Sequence, residues 1–459
     1  MKSFYRKTLL FTSFLMTSLH LESLHSKATE VSFETDSQLP LIYLNLAVKS
    51  GAVKDPQQRL GLTHFMAEML MRGTQHHSKT EIDQTLDQMG AKLEVEVRAE
   101  SLILRGAVLS SQIKPFLSLL QEIATEPSFP EKEVNRLKSE VTSILQEELG
   151  NDASLANRKF TEFLFQGHPY GNPIMGKKAH ITQITRSELI KHHQKLFQAK
   201  QILIIGSGDT TEDLIQDWAQ QLEMHLPQPT AHDLSDSQEI DTPSESPTRR
   251  LQIIDKPERT QTQIYIGQKG VKMDDPQFFP LHVGNHALGG GSFSAILMTE
   301  IRVKRGWSYG ASSNFRYGLK PRSWQVHLFP AAKDAATALA FTLNLLEQVK
   351  AQGISQQQFD FAQKSLINSA GFVYNTPRKR VENTLLEKTL QLPNGYMKSF
   401  ASQIEKVTLN QVNDALQHLI KPEHFSISVL GTAAQLKESL LQATHVQPKE
   451  VFIVPYTQE

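Results

Sequence analysis

The chain has 459 residues, with Lys+Arg and Asp+Glu equal at 48 each, 39% hydrophobic residues and no cysteine. That length allows two or three domains with full hydrophobic cores. The charge balance excludes attachment to nucleic acid or membrane by bulk charge, and the missing cysteine excludes a disulfide scaffold, a thiolate zinc site and a cysteine nucleophile.

Residues 1–28 read as a signal peptide. Lys2, Arg6 and Lys7 give a positive start, residues 8–21 are mostly apolar, and Ser26-Lys27-Ala28 supplies the small residues of a cleavage site. Cleavage is expected after Ala28, giving a periplasmic or secreted protein. The apolar stretch falls short of the roughly 20 residues a spanning helix needs, and no later segment reaches that length, so no transmembrane segment is expected in the mature chain.

Residues 44–51 then read as a strand, followed by Asp55-Pro56 and a helical pattern over 61–74. The runs 93–97 and 102–108 predict an antiparallel hairpin. A helix is predicted over 131–149, and helix, strand and Gly206 over 184–206. Residues 226–250 carry Pro227, Pro229, Pro243 and Pro247 among polar residues and read as a linker. Beyond it the landmarks return at an offset near 220. A strand over 264–270 precedes Asp275-Pro276 and a helix ending at Ala287-Leu288, and helix, strand and Gly431 follow over 407–431. Such a period is too long for a solenoid. The expectation is an α+β protein of two homologous domains, 29–225 and 251–459, each an antiparallel-rich sheet packed with helices.

The helix at 61–74 (GLTHFMAEMLMRGT) is the candidate place for chemistry. Leu62, Phe65, Met66, Met69 and Leu70 form its apolar stripe, and His64 and Glu68 share the other side. Two ligating groups at i and i+4 can reach one metal ion; a lone His-x-x-x-Glu is common, however, and spacing alone favours a surface His–Glu pair. On the helix at 131–149, Glu140 and Glu147 lie seven apart on one side, away from the apolar stripe. That arrangement fits either an approach to the first helix or a solvated acidic face.

Residues 61–74, the Glu140/Glu147 pair, His168-Pro169-Tyr170-Gly171 and residues 288–309 (LGGGSFSAILMTEIRVKRGWSY) together resemble the M16 metallopeptidases, the family of insulinase, pitrilysin and the mitochondrial processing peptidase. The resemblance covers nearly the whole mature chain. It implies an inverted zinc motif, His-x-x-Glu-His, in which two His and a downstream Glu hold zinc and the motif's Glu activates water. Aligned on that pattern, His64 keeps the first His, Ala67 stands at the base position, Glu68 replaces the second His, Glu147 matches the downstream ligand and Glu140 the supporting acid. The candidate metal ligands are thus His64, Glu68 and Glu147, with no general base. Losing a positioned base removes roughly 10²–10⁴-fold of rate. Lys92-Leu93 also stands where active relatives often carry Asn-Ala, beside the strand edge that pairs with substrate.

In the second half, Arg305 and Tyr309 resemble an Arg/Tyr pair with which non-catalytic subunits hold substrate in a partner's site; alternatively Arg305 belongs to a solvated cluster with Arg302 and Lys304. Gly289-Gly290-Gly291-Ser292 reads as a turn between helices, and His76-His77 and His192-His193 read as surface residues. The resemblance implies the non-catalytic, peptide-binding subunit of a heteromeric peptidase, with zinc in a partner M16 subunit that carries an intact motif and an unfolded peptide as substrate. Two rivals stand beside it: an active metal-dependent endopeptidase using His64, Glu68 and Glu147, and a non-enzymatic binding or assembly protein.

Overall fold

The computed structural model describes residues 29–227, 240–291 and 293–458. The expected signal peptide and about half of the expected linker lie outside the described residues. The first half builds a five-stranded sheet from β1 (Glu30–Thr35), β2 (Leu41–Val48), β3 (Lys92–Val97), β4 (Leu102–Leu109) and β5 (Ile202–Gly208), in the order β1-β5-β2-β4-β3. The second half builds β6 (Arg250–Asp255), β7 (Gln263–Lys269), β8 (Ser308–Phe315), β9 (Ser323–Pro330), β10 (Ser426–Gly431) and β11 (Val451–Pro455), in the order β11-β6-β10-β7-β9-β8. Strand for strand the two orders agree, apart from the added β11. In both, only the strand pairs at the β1 or β6 end run parallel. The expected duplication is therefore present in topology as well as in sequence.

Each strand alternates between two faces. In the first half, Ile42, Leu44 and Leu46 of β2 and Leu102 and Leu104 of β4 point inward. There they meet Phe65, Met66 and Met69 of the helix Leu62–Leu70, Phe116 and Leu120 of the helix Ile113–Thr125, and Trp218 and Leu222 of the helix Glu212–His225. Burial of each such side chain contributes about 1.5–3 kcal/mol. The outer faces are covered by exchange. Val381 and Leu385 of the helix Pro377–Thr389, from the second half, lie on Ala47, Ile103, Leu203 and Ile205. Leu155, Ala156 and Phe160 of the helix Asp152–Leu164, from the first half, lie on Ile254, Tyr265 and Leu430.

Polar contacts pin the exchange. Lys256 Nζ meets Asp152 at 2.5 Å, Arg380 Nε meets Glu34 at 2.9 Å, and Arg105 pairs with Glu382. The His168-Pro169-Tyr170-Gly171 motif has a structural task here. The Tyr170 hydroxyl donates to Glu100 and accepts from the Lys320 amide at 2.9 Å, while the Leu319 amide donates to Glu100 at 2.7 Å. The tip of the β8–β9 hairpin is thereby fastened to the tip of β3–β4.

Two sequence expectations need correction or refinement. His192 and His193 are buried rather than superficial. His192 Nε2 meets Thr63 Oγ1 at 2.8 Å, and His193 Nε2 meets the Ala124 carbonyl at 2.9 Å while its ring stacks on Phe197. Each uses its one polar bond inside the core, which adjacency in sequence does not reveal. Around Gly289 the helix Phe278–Asn285 widens into a π turn, His286–Gly290. A Cβ on Gly289 would lie 2.4 Å from the Ser313 amide, so this glycine is needed for close approach to β8.

Candidate functional site

The helix Leu62–Leu70 is anchored at its start. Gly61 adopts a left-handed φ of 91°, and the Asp55 carboxylate accepts from the Gly61 and Thr63 amides at 2.8 and 3.0 Å and from the Thr63 hydroxyl at 2.5 Å. These bonds satisfy amides that a helix start leaves free. Burial pushes the Asp55 carboxyl up to about 6 and the His192 imidazole down to about 4.

Along that helix, Ala67 is fully buried among the core side chains and offers neither donor nor acceptor. His64 is half-buried, and burial pushes its imidazole down to about 4, so it is neutral at pH 7. Burial raises the Glu68 carboxyl; Arg72 opposes that rise and Glu140 adds to it. Arg72 is nearly buried, and its Nη2 donates to Glu140 Oε2 at 2.5 Å while its Nη1 lies 3.5 Å from Glu133. Glu140 also accepts from Arg136 Nε at 2.9 Å; the Arg72 hydrogen bond is the main cause holding its carboxyl below the usual range. Glu147 is exposed near the end of the helix Glu131–Glu148.

Among the described residues, no three His, Asp or Glu side chains gather where they could hold one metal ion. His64, Glu68 and Glu147 are thus not brought together as a three-donor set. The residues present do not fit a bound zinc: the charge facing Glu68 and Glu140 comes from a guanidinium, and a methyl occupies the base position.

The second candidate region is the start of β8. Arg305 Nη1 donates to the Glu300 carbonyl at 2.9 Å and to its carboxylate at 2.7 Å, and the guanidinium lies 3.8 Å from the centre of the Phe341 ring. Arg305 is therefore committed to its own domain. Tyr309 is 74% exposed, and the cation over its ring, at 4.2 Å, is Arg302. Arg302 also covers Phe293, exposed in turn, at 4.8 Å. A register shift between Ser308 and Ala311 takes Tyr309 out of the ladder with β9, and such irregularities re-aim a side chain. Arg302, half-buried, is thus the cation paired with the Tyr309 ring, while Arg305 and Tyr309 are both exposed. Arg302 stood in the basic cluster visible in the sequence, but the π turn Met298–Val303 breaks the 3.6-residue period that tells which member meets Tyr309.

Two family models match. One, the insulinase peptidase family M16, covers residues 31–178, and the other, the peptidase M16 inactive domain, covers residues 183–366. The chain belongs to the M16 peptidase family. This M16 chain is 24% identical to the non-peptidase homolog YmxG of Helicobacter pylori over 423 residues, covering 91% of this chain and 95% of that protein. It is 23% identical over 379 residues to an uncharacterized zinc protease of Mycobacterium bovis, covering 81% and 84%. Among solved structures it resembles the peptidase M16 inactive domain from Pseudomonas fluorescens, with a TM-score of 0.82 and 25% identity over 88% of this chain and 96% of that one. It also shares its fold with a protease from Helicobacter pylori, with a TM-score of 0.78 and 16% identity over 88% and 98%. Within the family, this M16 chain is one that lacks the intact His-x-x-Glu-His motif.

Proposed function

We propose that this protein is the exported, non-catalytic subunit of a two-chain M16 peptidase, and that it holds an extended peptide against a zinc-bearing partner. The observation that carries the reading is the contrast between its two candidate regions. In the first half, Ala67 replaces the base, and Arg72 faces the carboxylates near where an ion would sit. In the second, Arg305 and Tyr309 are both exposed at the start of β8, with Arg302 over the Tyr309 ring, and offer guanidinium and phenol groups suited to peptide carbonyls. Relatives named as non-peptidase homolog and inactive domain agree with this reading.

The test is hydrolysis of a mixed peptide pool by the mature chain, alone and with an M16 subunit carrying an intact motif, each with and without chelator. The chain alone is expected to cleave nothing. The pair is expected to cleave in a chelator-sensitive way, falling about tenfold with Tyr309→Phe or Arg305→Gln, the cost of one lost charge-assisted or phenolic hydrogen bond. Chelator-sensitive cleavage by the chain alone, abolished in Glu68→Gln, would make it a peptidase with a variant site. A stable partner without any peptidase motif would make it an assembly protein. Amino-terminal sequencing of the exported chain is expected to begin at Thr29.

A further inference from the structure

On the outer face of the first sheet, beside Val381 at the start of the contact made by the helix Pro377–Thr389, lies a cavity of about 110 Å³. Its floor is a cross-strand patch: Asn45 of β2 faces Arg105 of β4, which faces Glu94 of β3, and in the next row Tyr43 faces Ala107, which faces Lys92. Arg378 and Glu382, from the helix of the second half, close one side. Asn45 is 3% exposed, and its amide nitrogen has no hydrogen-bond partner. In the neighbouring strand, Ser207, which pairs with Tyr43 across the sheet, is also buried with an unpartnered hydroxyl. Buried polar groups left unpaired cost free energy, and each asks for a reason.

The duplication supplies an internal control. The pair matching Asn45 and Arg105 in the second half is Tyr265 and His327. There the helix Asp152–Leu164 sends Phe160 onto Tyr265 at 5.2 Å, and Tyr265 stacks on His327 at 4.3 Å, filling the place with three rings. The fold therefore does not require a polar hollow here; the first half has one where the second half has packed rings.

The groups around it define the chemistry. Arg105 is already satisfied by Glu96 and Glu382. Lys92 and Arg378 at the mouth carry no ion pair among the described residues, and neither does the acid Glu94. Two cations set against one acid leave the mouth net positive, and with the orphan amide donor this suits a small oxyanion. The mouth opens beside β3, which ends the sheet and has no strand on its outer side among the described residues. An extended peptide added to that edge would sit about 4.8 Å from β3, with alternate side chains directed to this face.

We propose that this cavity is a carboxylate-binding subsite, taken by an acidic side chain or the chain terminus of a peptide paired along β3. The inference rests on the peptide-holding reading above and is tested so that the two fail separately.

The experiment uses the full mature chain and fluorescence anisotropy with labelled extended peptides: a parent with one Glu and a free carboxy terminus, and versions with Gln, with an amidated terminus, and with both changes. The parent is expected to bind about tenfold more tightly than the doubly neutral peptide, the scale of a charge-assisted hydrogen bond. The singly neutral peptides show which carboxylate is read. The preference is expected to vanish in Arg378→Gln, an exposed position, and in Asn45→Leu. If all four peptides bind equally and Arg378→Gln changes nothing, the cavity is no subsite, and the peptide-holding reading stands. If no peptide binds, both fall. If inorganic phosphate binds in an Arg378-dependent way while the peptides show no carboxylate preference, the hollow serves a free anion and the proposal is overturned.

Discussion

Arg72 shows how a single side chain sets the character of the remnant metal region. Its guanidinium bonds Glu140, reaches Glu133 and opposes the burial that raises the Glu68 carboxyl. Removing it leaves carboxylates close together and partly out of water. Arg72→Gln is expected to cost about 2 kcal/mol of stability by urea unfolding. Part of that loss should return when Glu68→Gln is added, because neighbouring sites of this kind are not additive; a double variant no better than the single would refute the coupling. The loss of the base was legible in the sequence, since Ala67 and Glu68 stand in a recognisable motif. The role of Arg72 was not, because it depends on which helix packs across from it. That Arg302 meets the Tyr309 ring was hidden by the π turn, which breaks the helical period.

Among the elements, the helix Pro377–Thr389 matters most for integrity. It belongs in sequence to the second half and in packing to the first. Leu385, fully buried against β2, β4 and β5, is its central contact. Leu385→Ala is expected to cost about 3 kcal/mol, the transfer and cavity terms together. Denaturant unfolding followed by far-ultraviolet circular dichroism measures it, and a loss below about 1 kcal/mol would mean that the helix lies loosely on the sheet. The hairpin β3–β4, the strands β5 and β10 and the helices carrying His64 and Glu140 were all readable from period and turn chemistry. The exchange of helices between halves was not. Neither exchanged helix was singled out in the sequence, and an apolar stripe does not say which sheet it will cover.

For the molecule as a whole, that exchange joins the two halves into one cooperative body with an acid limit. His192, His193, His282 and His327 are spread over both halves, and burial holds each imidazole at about 4 against an ordinary 6.5. The unfolded chain therefore takes up their protons first. Their contribution to stability is complete above pH 6.5 and is lost as pH falls toward 4. Asp55, raised to about 6 from an ordinary 3.8, runs the other way, with a contribution that is lost as pH rises through 6. With His64, also held at about 4, five imidazoles outweigh one carboxyl, so stability is expected to fall between pH 6.5 and 4. Because neither sheet keeps its outer cover alone, acid titration should show a single transition by calorimetry and by tryptophan fluorescence. Two separated transitions would mean that the halves are independent. The duplication itself was plain in the sequence, whereas the interlock that makes it one body was not.

The order in which the chain emerges adds a constraint of time. β5 completes the first sheet at Gly208, yet the helix that covers its outer face begins at Pro377. Roughly 170 residues separate them, which at about 5–20 residues per second of synthesis is roughly 10–35 s. Through that interval Ala47, Ile103, Leu203 and Ile205 form an open apolar face on a growing polypeptide. The interlock that steadies the finished protein thus leaves its earliest half waiting, and a chaperone able to shield that face is needed most during those seconds.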